Sequence, residues 1–220
     1  MTLTASTLLS LLIAYLLGSI PTAVWIGKLF YGIDVREYGS GNAGATNTFR
    51  VLGKKAGIPV LLIDCAKGFA AVKLVLLFAE EPISTAAYVN YQLALGISAV
   101  IGHIFPLFAG FRGGKGIATL LGLMLAIHTQ GALLALVVFL LVFAITKFVS
   151  LGSMTAALSF PFIIVLVFHT TVLSLIVFSM FIAILVLITH QKNIERLMRR
   201  EESKANISIR NLIKAAGEDD

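Results

Sequence analysis

The sequence predicts an all-α, polytopic membrane protein of about seven transmembrane helices, with the N-terminus outside and the C-terminus cytoplasmic. Three observations predict it. Of 220 residues, 58% are hydrophobic and 13% charged, with mean hydropathy +0.96, against about 45–50% and about 25% in a soluble domain. The apolar residues gather into runs close to the ~20 residues a spanning helix needs. Of the 17 Lys and Arg residues, 15 sort to one side of those runs, all but Lys67 and Lys73.

Seven stretches qualify, at roughly 4–27, 57–79, 87–107, 115–129, 131–149, 153–169 and 171–189. The first has no basic residue before it and no Ala-x-Ala-like cleavage signal, so it reads as a span rather than a removable signal peptide. The fourth is short. The junctions His128-Thr129-Gln130-Gly131 and His169-Thr170-Thr171 allow only tight turns, so tilted, broken or partly re-entrant helices are expected there.

Seven spans place Lys28, Arg36, Arg50, Lys54 and Lys55 on one side, with Arg112, Lys115 and Lys147. The same side holds Lys192, Arg196, Arg199, Arg200, Lys204, Arg210 and Lys214. Lys67 and Lys73 fall within the second span, and the opposite side carries only Glu80-Glu81-Pro82 in its one sizeable loop. Basic loops stay cytoplasmic, which sets the orientation, whereas six or eight spans would scatter them. Residues 1–220 read as one integral membrane domain without an internal repeat. The part after the last span begins helical over His190 to Glu202, and 203–220 reads as a partly flexible cytoplasmic tail.

Orientation in the membrane also accounts for the net charge of +6, so membrane lipids, not nucleic acid, are the expected surroundings. The single cysteine, Cys65, excludes an intrachain disulfide and cysteine-rich zinc sites, and its apolar setting gives it a packing role. No metal or cofactor is indicated. Asp64 and Lys67, three apart within the second span, can pair as intramembrane charges do, and support the bundle more readily than they react.

Three polar inserts carry candidate chemistry. The first runs from Tyr38 to Arg50 as YGSGNAGATNTFR. It contains GxGxxG, but a dinucleotide fingerprint must follow a strand of a βαβ unit, and this one follows a membrane helix. Glycine-rich backbone N–H groups at a helix start suit a phosphate or another oxyanion. Ser40, Gly41, Asn42, Thr46 and Asn47 would supply backbone and side-chain donors, and Arg50 a forked charge.

The second insert reads GHIFPLFAGFRGGKGIAT from Gly102 to Thr119. A P-loop would need glycine at Ala109 and Ser or Thr at Gly116, so it is not one. Gly113 and Gly114 still present bare amides at a helix start, with Lys115 as a mobile point charge. His103 either contacts the ligand or is a satisfied polar group. In the third insert, His190, Asn193 and Arg196 share one face of a helix at i, i+3 spacing, directed at the membrane surface, though a basic helix attracted to anionic headgroups would look similar. Ser150 and Ser153, after Lys147, either bind a glycerol hydroxyl or phosphate or cap the next helix.

These inserts resemble the acyl-phosphate glycerol-3-phosphate acyltransferases, the PlsY family. The likeness covers essentially the whole chain and rests on Gly39 to Arg50, Gly102 to Thr119, and the H-x-x-N-I-x-R-L pattern opening at His190. It implies transfer of a fatty acyl group from acyl phosphate to the 1-hydroxyl of sn-glycerol 3-phosphate, giving lysophosphatidate and inorganic phosphate, at the cytoplasmic side of a bacterial inner membrane. By the same likeness the Ser40 to Arg50 loop holds phosphate, while Lys115, Ser150, His190 and Asn193 face the glycerol phosphate. The family commonly has glycine where this chain has Arg200, which puts the helix end and the role of Glu202 in question.

The residues themselves agree with that chemistry. An acyl phosphate carries its own leaving group, so a site without a Ser-His-Asp set or paired carboxylates can work by positioning and charge neutralisation. Lys115, His190 and Asn193 are the catalytic candidates. A transporter of a phosphorylated small molecule is the alternative, but it would place ligands near the bilayer midplane between pseudo-repeated halves. A lipid-binding scaffold would leave both glycine-rich inserts unexplained. An alcohol phosphotransferase would need an acidic metal motif that is not here.

Overall fold

The computed structural model describes residues 4–79 and 84–205. Among them the regular structure is entirely helical. The helices are α1 Ala5–Gly18, α2 Thr22–Tyr31, α3 Ala45–Leu52, α4 Lys54–Lys73, α5 Val75–Phe78, α6 Thr85–Ile104, α7 Ile117–Ile127, α8 Thr129–Thr146, α9 Val149–Phe162, α10 Leu173–Thr189 and α11 Gln191–Met198. Short 3-10 turns lie at Val35–Glu37 and Leu107–Ala109. The Glu80-Glu81-Pro82 loop and residues 206–220 lie outside the described residues.

Each predicted span corresponds to helix, but not always to a plain one. By length and composition, α6, α8, and α9 with its π-helical continuation Ile163–Val167 can cross a membrane. The count rises to five if each bent pair is one span: α1 with α2, bent 41°, and α10 with α11, bent 61°. The first bend falls at Ser19-Ile20-Pro21, where proline cannot donate a helical hydrogen bond. The other two stretches depart for separate reasons. α4 is long enough but carries Lys54, Lys55, Asp64, Lys67 and Lys73. α7 has only 11 residues, about 16 Å at 1.5 Å per residue, roughly half the hydrocarbon thickness.

α7 therefore depends on its neighbours for position. It packs along α4 with backbones in direct contact: a Cβ on Gly68 would overlap the carbonyl of Thr119, and one on Gly122 would overlap the carbonyl of Cys65. α1 and α6 use the same device, with Gly18 on the carbonyl of Ala99 and Gly102 on the carbonyl of Tyr15. In lipid, apolar helices gain little by hiding from solvent, so close approach at small residues supplies the association energy.

Around these pairs, Val72, Leu123, Ile164 and Val186 are fully buried at the junction of α4, α7, the π segment and α10. Leu141, Ile145, Phe181 and Ile184 are exposed on the outer faces of α8 and α10, as lipid-facing residues should be. The loops after α2 and α6, the α8–α9 junction, the α10–α11 junction and the chain to Ala205 meet at one end of the bundle, joined by the contacts described next.

Gly122→Leu puts a branched side chain into a backbone contact that cannot widen without moving two helices. It should lower stability by about 1–3 kcal/mol or more, read as a lower thermal midpoint in detergent. An unchanged midpoint would mean that α4 and α7 are not packed this closely.

Candidate active site

The first loop is held from within. Asp34 accepts hydrogen bonds from the backbone N–H, Nε and Nη2 of Arg36, and Lys28 lies 3.3 Å away. The Arg36 guanidinium, with Lys28, keeps the Asp34 carboxyl well below the usual carboxylate range despite partial burial. Arg36 Nη1 also donates to the carbonyls of Ala109 (2.7 Å) and Arg112 (3.3 Å), tying the first loop to the second.

Gly39 and Gly41 then take left-handed φ of +61° and +72°, a region costly to residues with a Cβ. That turn brings Ser40 over the side chain of Asn47. Asn47 Oδ1 accepts from the Ser40 N–H (2.8 Å) and Ser40 Oγ (3.1 Å), while Nδ2 donates to the carbonyls of Val35 and Tyr38. Both ends of this fully buried amide are engaged, so Asn47 braces the loop rather than offering a free donor. Ser40, Gly41, Thr46 and Arg50 stay exposed and Asn42 half-buried around the start of α3.

The second loop makes an excursion over 105–112 and comes back to the end of α6. The Gly113 N–H donates to the Ile104 carbonyl and the Gly114 N–H to the His103 carbonyl, both at 3.2 Å. A Cβ on Gly113 would overlap the His103 carbonyl, and one on Gly114 would overlap the His103 ring. His103 is buried beneath the strip, not on its open side. Gly116, at φ +81°, then starts α7.

The third insert is where three distant parts of the chain join. Lys115 Nζ donates to Asn193 Oδ1. Asn193 Nδ2 donates to Glu202 Oε1 at 2.7 Å, as does Ser150 Oγ at 2.7 Å, and Arg196 Nε donates to Glu202 Oε2 at 2.7 Å. Ser153 Oγ instead donates to the Val149 carbonyl of its own helix at 2.9 Å. Glu202, not among the candidates from sequence, is the common acceptor.

Glu202 reaches that place through a turn. α11 ends at Met198, before the Glu202 expected from sequence. The Arg200 N–H donates to the Leu197 carbonyl and the Glu201 N–H to the Arg196 carbonyl, the paired bonds of a Schellman motif. The residue after the helix cap is Arg200, at φ +60°. Glycine is the usual residue at such a position, because the turn needs a left-handed φ. The chain beyond is not loose, since the Ala205 N–H donates to the Lys147 carbonyl at 2.9 Å and Lys204 Nζ lies 5.7 Å above the Phe148 ring.

The electrostatics are those of an anion site. Burial, with Arg196 and Arg50 nearby, lowers Lys115 to about 8, although Glu202 works against this. Burial and the Lys115 charge push His190 down to about 4. Burial alone would raise the Glu202 carboxyl, but the bonds from Arg196, Ser150 and Asn193 outweigh it and hold it below its ordinary value. His190 Nδ1 lies 2.8 Å from the Val186 carbonyl, so Nδ1 carries the proton and the neutral ring keeps its Nε2 lone pair available.

The sequence candidates thus divide. Lys115, Ser150, Asn193 and Arg196 are linked through Glu202; Arg50 acts on Lys115 through its charge; and Asn47, His103 and Ser153 are committed to the scaffold. Gly113 and Gly114 carry the lysine.

Arg200→Gly should relieve the left-handed strain, worth about 1 kcal/mol, and raise the thermal midpoint without loss of activity. A lower midpoint would show that the turn is not left-handed.

Known proteins share this architecture along most of the chain. A family model described as glycerol-3-phosphate acyltransferase matches residues 8–200. The glycerol-3-phosphate acyltransferase of Chlorobaculum tepidum is 41% identical over 225 residues, covering 91% of this chain and 97% of its own. That of Pelodictyon phaeoclathratiforme is 42% identical over 226 residues, covering 90% and 96%. The fold is similar to the crystal structure of PlsY, an integral membrane glycerol 3-phosphate acyltransferase, in its glycerol 3-phosphate form, with TM-score 0.81, 36% identity and 92% and 96% of the two chains covered. A second form of that protein, with lysophosphatidic acid, gives TM-score 0.78 at 36% identity, with 91% and 95% covered. The transporter alternative loses its support, because the matched proteins are enzymes. With most of its length matched by the family model and by these relatives, the chain belongs to the glycerol-3-phosphate acyltransferase family.

Proposed function

We propose that the protein transfers a fatty acyl group from acyl phosphate to the 1-hydroxyl of sn-glycerol 3-phosphate, forming lysophosphatidate and inorganic phosphate, as the first acylation of bacterial phospholipid synthesis. The observation that carries this reading is the meeting of Ser150, Asn193 and Arg196 on one carboxylate, with Lys115 joined to them through Asn193. Such a set can hold a phosphorylated polyol, and its one carboxylate is shared among Ser150, Asn193 and Arg196 rather than given to a single hydroxyl. The related PlsY structures have glycerol 3-phosphate and lysophosphatidic acid forms, which supports the acceptor and the product.

The glycerol oxygen attacks the acyl carbonyl carbon, the bond from that carbon to the phosphate oxygen breaks, and phosphate departs with the bond's electron pair. Lys115 offsets phosphate charge, carried on a strip that the amides of Gly113 and Gly114 pin to the Ile104 and His103 carbonyls. The exposed Thr46 and Arg50 and the half-buried Asn42 receive the phosphoryl group of the donor, on a turn held by Ser40 and Gly41. His190 accepts the hydroxyl hydrogen at Nε2 and Asn193 fixes its direction. A ring pushed down to about 4 is neutral at pH 7 but a weak base, so it orients the hydroxyl, and the proton leaves with phosphate.

The lipid setting follows from the substrate, because an acyl tail extending from this site has only the apolar bundle to enter. In this reading the seven helical stretches are seven spans, some broken, with the N-terminus outside and the site on the cytoplasmic side of the inner membrane. The 15 basic residues between and after the spans support that orientation.

Purified protein given labelled glycerol 3-phosphate with palmitoyl phosphate, acyl-CoA or acyl-carrier protein should form product from the phosphate donor alone; equal rates from a thioester would overturn the donor assignment. Lys115→Ala and Asn193→Ala should each lose roughly 100-fold to 1000-fold in turnover, and full turnover in both would sink the site.

The pH dependence has a definite sign. With Lys115 at about 8, kcat/KM should fall as pH rises through about 8, as the ammonium is lost. Lys115→Arg, if active, should not show that decline, because a guanidinium stays charged. The same alkaline limb in both proteins would assign it to another group.

A further inference from the structure

Beneath the site lies a buried polar chain that the proposed chemistry does not use. Asp64 Oδ1 accepts from Thr22 Oγ1 at 3.0 Å and pairs with Lys67 Nζ at 2.8 Å. Lys67 Nζ also donates to the Ile20 carbonyl at 2.8 Å, inside the break between α1 and α2. Asp64, Lys67 and His103 are 1%, 5% and 6% exposed. Charges this deep in a membrane bundle are costly and are retained where they serve a function.

The chain points upward to the glycine strip. His103 Nδ1 faces Asp64 Oδ1 at 3.7 Å, beyond hydrogen-bond reach, and has no other partner among the described residues. The opposite edge of the ring is pressed against Gly114: a Cβ there would overlap Nε2 and lie 3.0 Å from Cε1. The same Cβ would lie 3.2 Å from the Ala43 carbonyl of the first loop. Gly114, immediately before Lys115, thus packs against both the His103 ring and the first loop. The backbone just before the histidine is itself fixed, because Gly102 is in backbone contact with the end of α1.

We propose that Asp64 and His103 are positioning residues: Asp64, fixed by Thr22 and Lys67, orients the His103 ring, and the ring sets the height of Gly114 and so the reach of Lys115 to Asn193. The carboxylate favours the tautomer with its proton on Nδ1, which keeps the unprotonated Nε2 edge against Gly114. Neither residue touches substrate in this arrangement. The inference rests on the assignment of Lys115 to the site, and it gives a role to a buried ion pair and a buried histidine that lie under the glycine strip carrying Lys115.

The test is a double-mutant cycle on kcat/KM for glycerol 3-phosphate, with detergent-extracted protein and labelled substrate. His103→Ala removes the support and should lose about 10-fold to 100-fold, the scale of a 1 Å misplacement. His103→Gln, whose amide reaches to the Nε2 position, should recover most of it. In a Lys115→Ala background the same His103→Ala change should cost less than about 3-fold, because the group it positions is gone. Asp64→Asn should show the same loss and the same disappearance.

An undiminished loss in the Lys115→Ala background, or His103→Ala with wild-type kcat/KM, would overturn the inference. If His103→Ala does not fold, the cycle runs with His103→Asn, which is too short to reach Gly114, under the same criteria. Lys115→Ala at the wild-type rate is a different failure: it removes the site assignment, and the inference with it.

Discussion

Backbone contact between α4 and α7 is the constraint on which the site depends. α7 is about half the length of a spanning helix, so lipid cannot set its depth, and only the neighbour it touches can. Gly68 and Gly122 let that contact be made carbonyl to Cα, and the depth of α7 fixes the depth of Gly116, Lys115 and the strip before them. A substitution far from the anion pocket can therefore move its lysine without altering any group that meets substrate.

The two polar inserts, the third at the end of α10 and the helical class are all legible in the sequence, because each rests on composition over many residues. Glycines beside cations mark Lys115 and Arg50, and helical spacing marks Asn193 and Arg196. What is not legible depends on backbone conformation or on contact between distant segments. Glu202 lies four residues past the end of α11 and reaches Ser150 and Asn193 only because Arg200 takes a left-handed φ. An arginine at that position conceals the turn, since glycine is its usual sign. Asn47 belongs to the first loop, as its neighbours in sequence indicate, but it serves there as a brace instead of a donor to the ligand. Both ends of its amide are consumed by backbone and side chain nearby, which spacing does not reveal. His103 beside an anion loop reads equally well as ligand or as support, and only the overlap with Gly114 separates the two.

The sequence also reads seven apolar stretches as though all were alike, whereas the structure divides them by how they position the site. α6, α8 and α9 are long and apolar enough to cross a membrane as single helices. α4 carries a buried ion pair, and α1 with α2 breaks at Pro21, where the freed Ile20 carbonyl accepts from Lys67. The break and the ion pair thus compensate one another. A helix interruption in lipid leaves backbone carbonyls short of partners; here the Ile20 carbonyl accepts from both the Thr22 N–H and Lys67 Nζ, and Lys67 gains an acceptor beside Asp64. Hydropathy registers the first as length and the second as a penalty, so it misses that they are one feature.

The place of Glu202 follows from the balance of charge. Lys115 and Arg196 approach one another with Arg50 nearby; burial lowers Lys115 to about 8, and repulsion from these like charges adds to the lowering. A single carboxylate among them offsets part of that repulsion and gives Ser150, Asn193 and Arg196 a shared acceptor. It does not cancel it: three cations face one anion, and the site stays positive. A bound phosphate would complete the neutralisation that Glu202 begins. Asn193 is the joint between the two functions. Its Nδ2 is held by Glu202, which turns Oδ1 toward Lys115. An aspartate of the same shape would lose the donor to Glu202 and set two carboxylates against each other, so the neutral amide is what allows one side chain to connect the site's anion to its principal cation.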